Sequence, residues 1–126
     1  MVTMVVGGVN KTTGEVTLAQ SDHLGTKLTG DWIATGLGHH YLGAIFSTVW
    51  KPGMTEQEAQ QMLELGMKVM FQRDKKAIDK MQVATITSAG VTIGDAYRFD
   101  AYPDWRFHHE QTNENYRPSR VPPTKL

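Results

Sequence analysis

Ala34-Thr35-Gly36-Leu37-Gly38 is followed by two helical patterns in series, a polar stop at Gln72-Arg73-Asp74 and an alternating strand over residues 81–87. A strand that runs into a Gly-x-Gly turn lets backbone pass close to backbone, because glycine carries no Cβ and accepts positive φ. Two consecutive helices then cover one face of the sheet that the flanking strands build. Upstream lie a Val-rich apolar run at 3–9 and an alternating Glu-Val-Thr-Leu-Ala stretch at 15–19. Asn10-Lys11-Thr12-Thr13-Gly14 joins them as a polar turn of hairpin length. Gly25 and Gly30 punctuate a second turn region, and Trp32-Ile33-Ala34 reads as a short third strand.

The first helical pattern begins near His39 and spaces Leu42, Ile45, Phe46 and Val49 three and four apart, on one face. Lys51-Pro52-Gly53 breaks it, since proline removes a helix donor and glycine frees the backbone. Thr55 and Glu58 then fit a capping box, the strongest helix start in the chain. The helix after it predicts a buried face of Ala59, Met62, Leu63, Gly66, Met67, Met70 and Phe71. A glycine inside a helix costs about 1 kcal/mol against alanine, so Gly66 predicts close packing against another helix or a sheet. A charged segment at 73–80 follows, and strands at 81–87 and 91–93 form a hairpin over Ser88-Ala89-Gly90. Strands, two helices, strands, with no alternating βαβ rhythm, predicts an α+β fold with a mainly antiparallel sheet.

A chain of 126 residues fits one domain with a modest core. It is 40% hydrophobic and 21% charged, the composition of a globular rather than a disordered chain. Thirteen basic residues balance thirteen acidic ones, so no net field favours nucleic acid or an anionic membrane. No apolar run approaches the roughly 20 residues needed to cross a bilayer, and residues 1–6 read as a strand rather than a leader. The absence of cysteine excludes disulfides, thiolate catalysis and Cys-based zinc sites. From Tyr102 onward four prolines (Pro103, Pro118, Pro122, Pro123) leave no period of either kind. Tyr102, Trp105, Phe107 and Tyr116 stud this polar stretch, a texture that predicts a segment lying along a partner.

Five histidines, His23, His39, His40, His108 and His109, are the only nitrogen ligands on offer for zinc, which needs three or four ligands in a closed spacing. Adjacent pairs point to different sides of a helix or strand, so no metal site is expected. Ser21 and Ser47 lack a Gly-x-Ser-x-Gly elbow, and a serine nucleophile needs a positioned base and an oxyanion hole. Asp22, Asp74 and Asp79 show no spacing that places two carboxylates across one cleft; Asp74 is expected to hold a loop by accepting backbone N–H bonds. Gly36-Leu37-Gly38 lacks the third glycine of a dinucleotide loop and the Gly-Lys-Ser/Thr of a P-loop, and reads as a packing turn. Met62, Met67 and Met70 sit at core spacing, where methionine fills irregular gaps. No catalytic, cofactor-binding or metal-ligating residue is expected.

Five stretches and their order point to a known family: Val5-Val6-Gly7-Gly8-Val9, Asp22-His23-Leu24-Gly25, Ala34-Thr35-Gly36-Leu37-Gly38, Met54-Thr55-Glu56-Gln57-Glu58-Ala59 and Phe71-Gln72-Arg73-Asp74. Val83-Ala84-Thr85-Ile86-Thr87-Ser88-Ala89-Gly90-Val91 follows the last of them. Over about residues 3–95 the chain resembles the C-terminal half of a proteasome beta subunit, most closely the non-catalytic type-4 beta subunit. The resemblance implies an N-terminal nucleophile hydrolase-type αββα sandwich. In catalytic members of that family a threonine at the mature N-terminus attacks the peptide bond, and it belongs to an N-terminal half that has no counterpart here. Their C-terminal half adds a serine in a Gly-Ser-Gly turn and a second in an Asp-x-x-Ser loop after the second helix. Here Leu37 and Ala77 stand at those positions, and neither carries a hydroxyl.

The resemblance therefore implies a non-catalytic structural subunit of the proteasome core particle, without cofactor, serving ring assembly for ATP- and ubiquitin-dependent protein degradation in cytoplasm and nucleus. Its implied partners are other alpha and beta subunits, with no nucleic acid and no membrane. Residues 1–100 would form the beta-type domain portion and residues 101–126 an extended Pro-rich tail against a neighbouring subunit. Two alternatives remain open at this level: the C-terminal part of a catalytic threonine peptidase subunit, and an unrelated small binding module. An N-terminal half that lies elsewhere would leave strand edges and an apolar face uncovered, which predicts insolubility or self-association of the chain alone.

Overall fold

A computed structural model of the chain describes residues 2–100. The expectations for Tyr102, Trp105, Phe107, Tyr116, His108, His109 and the tail as a whole lie outside the described residues.

The chain opens with an antiparallel three-stranded sheet, β1 (Met4–Val9), β2 (Val16–Ser21) and β3 (Lys27–Thr29), in that spatial order. The β1–β2 hairpin turns where the sequence predicts. Asn10 N–H donates to the Glu15 carbonyl and Gly14 N–H to the Asn10 carbonyl, both at 2.8 Å. Asn10 Oδ1 accepts from Thr12 N–H at 2.9 Å and Thr13 N–H at 3.2 Å, and Gly14 takes φ +72°. This is the usual work of asparagine and glycine in a tight turn. The second turn is built the same way: Asp22 Oδ1 accepts from Leu24 and Thr26 N–H at 2.9 Å each, and Gly25 takes φ +81°.

The third strand is not where the sequence places it. β3 occupies residues 27–29, inside the region read as turn, and Trp32-Ile33-Ala34 forms no strand. After Gly30 donates to the Leu18 carbonyl at 3.2 Å, the chain leaves β2. Trp32 then meets Phe46 edge-on, with centroids 5.7 Å apart and rings inclined at 76°. Aromatic burial against the helices wins over further pairing with β2.

The first helical pattern becomes two short helices, α1 (Gly38–Tyr41) and α2 (Gly43–Val49), with Leu42 between them. Glycine at 43 is a weak helix former, and a Cβ there would stand 3.7 Å from the Trp32 ring. Leu42 and Phe46 are buried and Ile45 half-buried, as the spacing predicts, whereas Val49 is exposed. α3 (Glu56–Arg73) starts on the predicted capping box, Thr55 Oγ1 accepting from Glu58 N–H at 3.2 Å and Glu58 Oε2 from Thr55 N–H at 2.8 Å. Met62 and Gly66 are buried and Ala59, Met67, Met70 and Phe71 half-buried. Leu63 departs from the predicted face and is exposed, because it borders an open cavity rather than a packed neighbour.

Gly66 is the contact point of the helices. A Cβ there would lie 2.7 Å from Phe46 Cζ and 3.3 Å from Leu42 Cδ1, so only a bare backbone admits the ring. Leu42, Phe46 and Met62 form the larger core cluster, with Trp32, Met54 and Val69 against it. Met81 and Phe99 form a second, in which Phe71 meets Phe99 at 6.4 Å, rings perpendicular.

The strand expected over 81–87 is split. β4 (Lys80–Met81) pairs with β7 (Tyr97–Arg98), and β5 (Ala84–Thr87) pairs with β6 (Gly90–Ile93) in the predicted hairpin. The change of partner falls at Gln82 and Val83, which turn to Gly94: Gln82 Nε2 donates to its carbonyl at 3.0 Å, and Gly94 N–H donates to the Val83 carbonyl at 2.9 Å. β1 lies close to β5, where a Cβ at Gly7 would stand 3.3 Å from Ile86 Cδ1. All strand pairs among the described residues are antiparallel, and the fold is α+β.

Two outcomes test this packing. Gly66→Ala gains about 1 kcal/mol in helix propensity but forces an overpacking that costs about 1–3 kcal/mol, so the urea midpoint falls; adding Phe46→Leu recovers part of the loss. Glu58 is held at a pKa of about 2, first by the Lys51 ammonium at 2.8 Å and then by Thr55. A depressed carboxyl pKa adds stability that is present above the unfolded value of 4.5 and lost as pH falls through about 2. Helicity of the soluble chain should therefore decline over that window, and Glu58→Gln should flatten the profile when both are followed by circular dichroism.

Candidate functional site

Three segments meet around an open cavity of about 640 Å³: residues 33–38 with Leu42 and Phe46, the α3 face carrying Leu63, Met67 and Met70, and the stretch 77–84. The first wall depends on both glycines of its turn. Gly36 takes φ +63°, and its carbonyl accepts from His39 N–H at 3.2 Å, which folds the chain into α1. Gly38 is buried, with room for a Cβ only at 3.4 Å from Leu42 Cδ1 and 3.7 Å from the Ala34 side chain. The first glycine supplies the turn and the second the close approach, and Leu37 between them is exposed at the cavity rim.

The opposite wall is set by Asp74. Its N–H donates to the Met70 carbonyl at 2.8 Å, ending α3. Its Oδ1 accepts from Lys76 N–H at 2.9 Å, and its carbonyl accepts from Ala77 N–H at 3.1 Å. Asp74 thus holds the loop as its sequence context predicts, and the loop delivers Ala77 to the cavity. Leu37 and Ala77 are forty positions apart in sequence and line one space. Thr35 has the only side-chain hydroxyl in the described lining, and the remaining polar side chains there are Asp74, Lys80 and Gln82.

The other candidates of the sequence lie elsewhere. His39 and His40 are exposed neighbours with ring centroids 5.4 Å apart, and His23 sits on the β2–β3 turn. No group of three His, Asp or Glu among the described residues stands close enough to hold a metal. Ser47 Oγ donates to the Gly43 carbonyl at 2.7 Å along its own helix, and Ser21 ends β2. Asp22 is committed to its turn, where the Thr26 backbone N–H, ahead of that of Leu24, holds its carboxyl below the ordinary range. Asp79 pairs with Arg98. No described helix is long and apolar enough to cross a membrane.

Sequence reasoning missed Lys80 and Gln82 at the cavity, which no motif marks, and gave no role there to Thr35, although it stands in the Ala34–Gly38 stretch. It also missed two ties between α3 and the strands: Thr85 Oγ1 donates to Glu56 Oε1 at 2.8 Å, and Gln60 Nε2 donates to the Tyr97 hydroxyl at 3.1 Å.

Residues 1–86, which include both walls of the cavity, match a family model described as proteasome subunit. The chain belongs to the proteasome subunit family. Among proteasome subunits it is similar to proteasome subunit beta type-4 of Arabidopsis thaliana, 33% identical over 110 residues that cover 87% of this chain and 44% of that protein. It is also similar to proteasome subunit beta type-4 of Xenopus laevis, 31% identical over 93 residues, 72% of this chain and 38% of the relative. Proteasome subunit beta 2 of Thermococcus onnurineus is 30% identical over 93 residues, 73% of this chain and 45% of the relative. The chain spans less than half the length of each of these relatives. The resemblance to type-4 beta subunits read from the motifs is borne out.

The rim position of Leu37 can be checked by stability. Leu37→Ser replaces an exposed side chain and should change unfolding free energy by no more than about 0.5 kcal/mol, whereas Leu42→Ala, in the core behind it, should cost about 2–5 kcal/mol. Comparable losses in urea titrations would place Leu37 in the core instead.

Proposed function

We propose that this chain covers the C-terminal portion of a non-catalytic, structural beta-type subunit of the proteasome core particle, with no catalytic, cofactor or metal residue of its own. In this reading residues 1–100 are the beta-type domain portion, and residues 101–126 form a tail that contacts a neighbouring subunit. The partners are other alpha and beta subunits in hetero-oligomeric rings of the cytoplasm and nucleus, and the contribution to ATP- and ubiquitin-dependent degradation is ring assembly.

The observation that supports it is the meeting of Leu37 and Ala77 at one cavity. Those are the two positions at which catalytic relatives are expected to present serine hydroxyls, and both side chains here are aliphatic. Neither side chain can donate or accept a hydrogen bond, so neither position supplies the hydroxyl expected of a catalytic relative.

Apolar surface supports the αββα arrangement. The β1–β3 sheet carries Val5, Leu28 and Val16 on the face towards Ile86, and Met4 and Val6 on the other, all exposed. An antiparallel sheet with one wet face alternates apolar and polar residues. Apolar residues on both faces suit a layer covered on both sides, as in a sandwich with helices outside.

Epitope tagging in the source cells followed by sedimentation and native mass measurement should find the chain in a particle of core-particle size. An epoxyketone probe should label other subunits and leave the one that carries this sequence unlabelled. Recovery solely as a free small species would refute the structural role, and labelling of this subunit would assign it to the catalytic class.

A further inference from the structure

We infer that Tyr97-Arg98-Phe99 is a strap that holds the 74–79 loop in place, and that strap and loop open together while α3 and the larger core stay folded. The inference concerns contacts within the described residues and stands apart from the proposed place in a ring.

The two ends of the loop are held by different means. At its start Asp74 N–H continues α3, while the Asp74 carboxylate and carbonyl accept from Lys76 and Ala77 N–H. These bonds reach no further than four positions, so they shape the loop without fastening its far end. There the fastenings come from residues 97–99. The Asp79 carbonyl accepts from Phe99 N–H at 3.0 Å, and the Asp79 carboxylate takes the Arg98 guanidinium. Lys80 and Met81 stand opposite Arg98 and Tyr97 in the β4–β7 ladder.

The strap is anchored in turn. Gln60 of α3 donates to the Tyr97 hydroxyl at 3.1 Å. Phe99 is 4% exposed, clusters with Met81, and meets the Phe71 ring at a right angle. An ion pair as open to water as that of Arg98 contributes little, whereas a buried aromatic ring dominates the energetics of its contacts. Phe99 is the pin.

Release can stay local because the core is divided. The Met81–Phe99 cluster shares no buried member with the cluster of Leu42, Phe46 and Met62. The contact that sets α2 against α3 lies at Gly66, in the latter. Proteins open in cooperative units that differ in stability, and lifting residues 97–99 strips partners from 79–81 while the Gly66 contact and the Thr55–Glu58 cap remain. The freedom of the loop is thereby governed by the strand that ends the fold's described part, not by the helix the loop follows.

Trypsin reads this directly in the full chain, because Lys75 and Lys76 lie in the loop and Lys68 lies within α3. A site is cut when its backbone opens, and mass spectrometry times each cut. Phe99→Ala should raise cleavage after Lys75 and Lys76 at least about tenfold, given the usual loss on truncating a buried ring, with cleavage after Lys68 unchanged. Arg98→Gln should raise it far less. If Phe99→Ala unfolds the chain, seen as faster cleavage after Lys68, the milder Phe99→Leu decides the matter and should speed the loop cuts alone. Loop cleavage at the unmodified rate in the folded Phe99 variant would show that Asp74 suffices to hold the loop. Cleavage after Lys68 rising in step with the loop cuts in Phe99→Leu would show a single unit. Either result overturns the inference.

Discussion

The placement of one aromatic ring against a bare stretch of helix backbone governs the helical half of this molecule. Phe46 lies over Gly66, closer than any side chain at that position would permit. The same ring takes Trp32 on its edge and packs with Leu42 and Met62. The contact sets the distance between α2 and α3, draws residues 30–34 away from β2, and so fixes both the wall that carries Leu37 and the α3 face that floors the cavity. Core packing of this kind is specific because interiors are dense and an extra methyl group has nowhere to go.

The second feature is how little of the apolar surface is covered. Six hydrophobic residues are buried among those described, while sixteen large ones are exposed, half of them on the strands. Exposed apolar patches on this scale belong to surfaces that meet other protein. Among the described residues, the apolar faces of the β1–β3 sheet and the open cavity between the 33–38 and 77–84 segments are uncovered. A member of the proteasome subunit family whose match spans less than half of its relatives would be expected to present such surfaces.

Much of the local structure was legible in the sequence because it rests on interactions within a few residues. Asn10 and Gly14 build the first turn, Asp22 and Gly25 the second, Thr55 and Glu58 the start of α3, and Asp74 its end. Each device is made of a side chain and backbone groups no more than five positions away, so it is present wherever its residues are. The order of elements, the α+β class, the close approach at Gly66 and the missing hydroxyls at 37 and 77 follow from residue type alone. The likeness to proteasome beta subunits followed from the same motifs.

Tertiary structure decided the rest. Trp32-Ile33-Ala34 has the composition of a strand, but Trp32 packs edge-on against the Phe46 ring and the segment does not pair with β2. Residues 81–87 read as one strand, yet Met81 finds Tyr97 and Ala84 finds Ile93, and the two partners stand in different ladders. Leu63 sits at core spacing and faces an open cavity. In each case the outcome depends on residues remote in sequence, whose nearness no local pattern encodes. Leu37 and Ala77 make the same point about the site: sequence supplied their chemistry, and only the path of the chain brought them to one space.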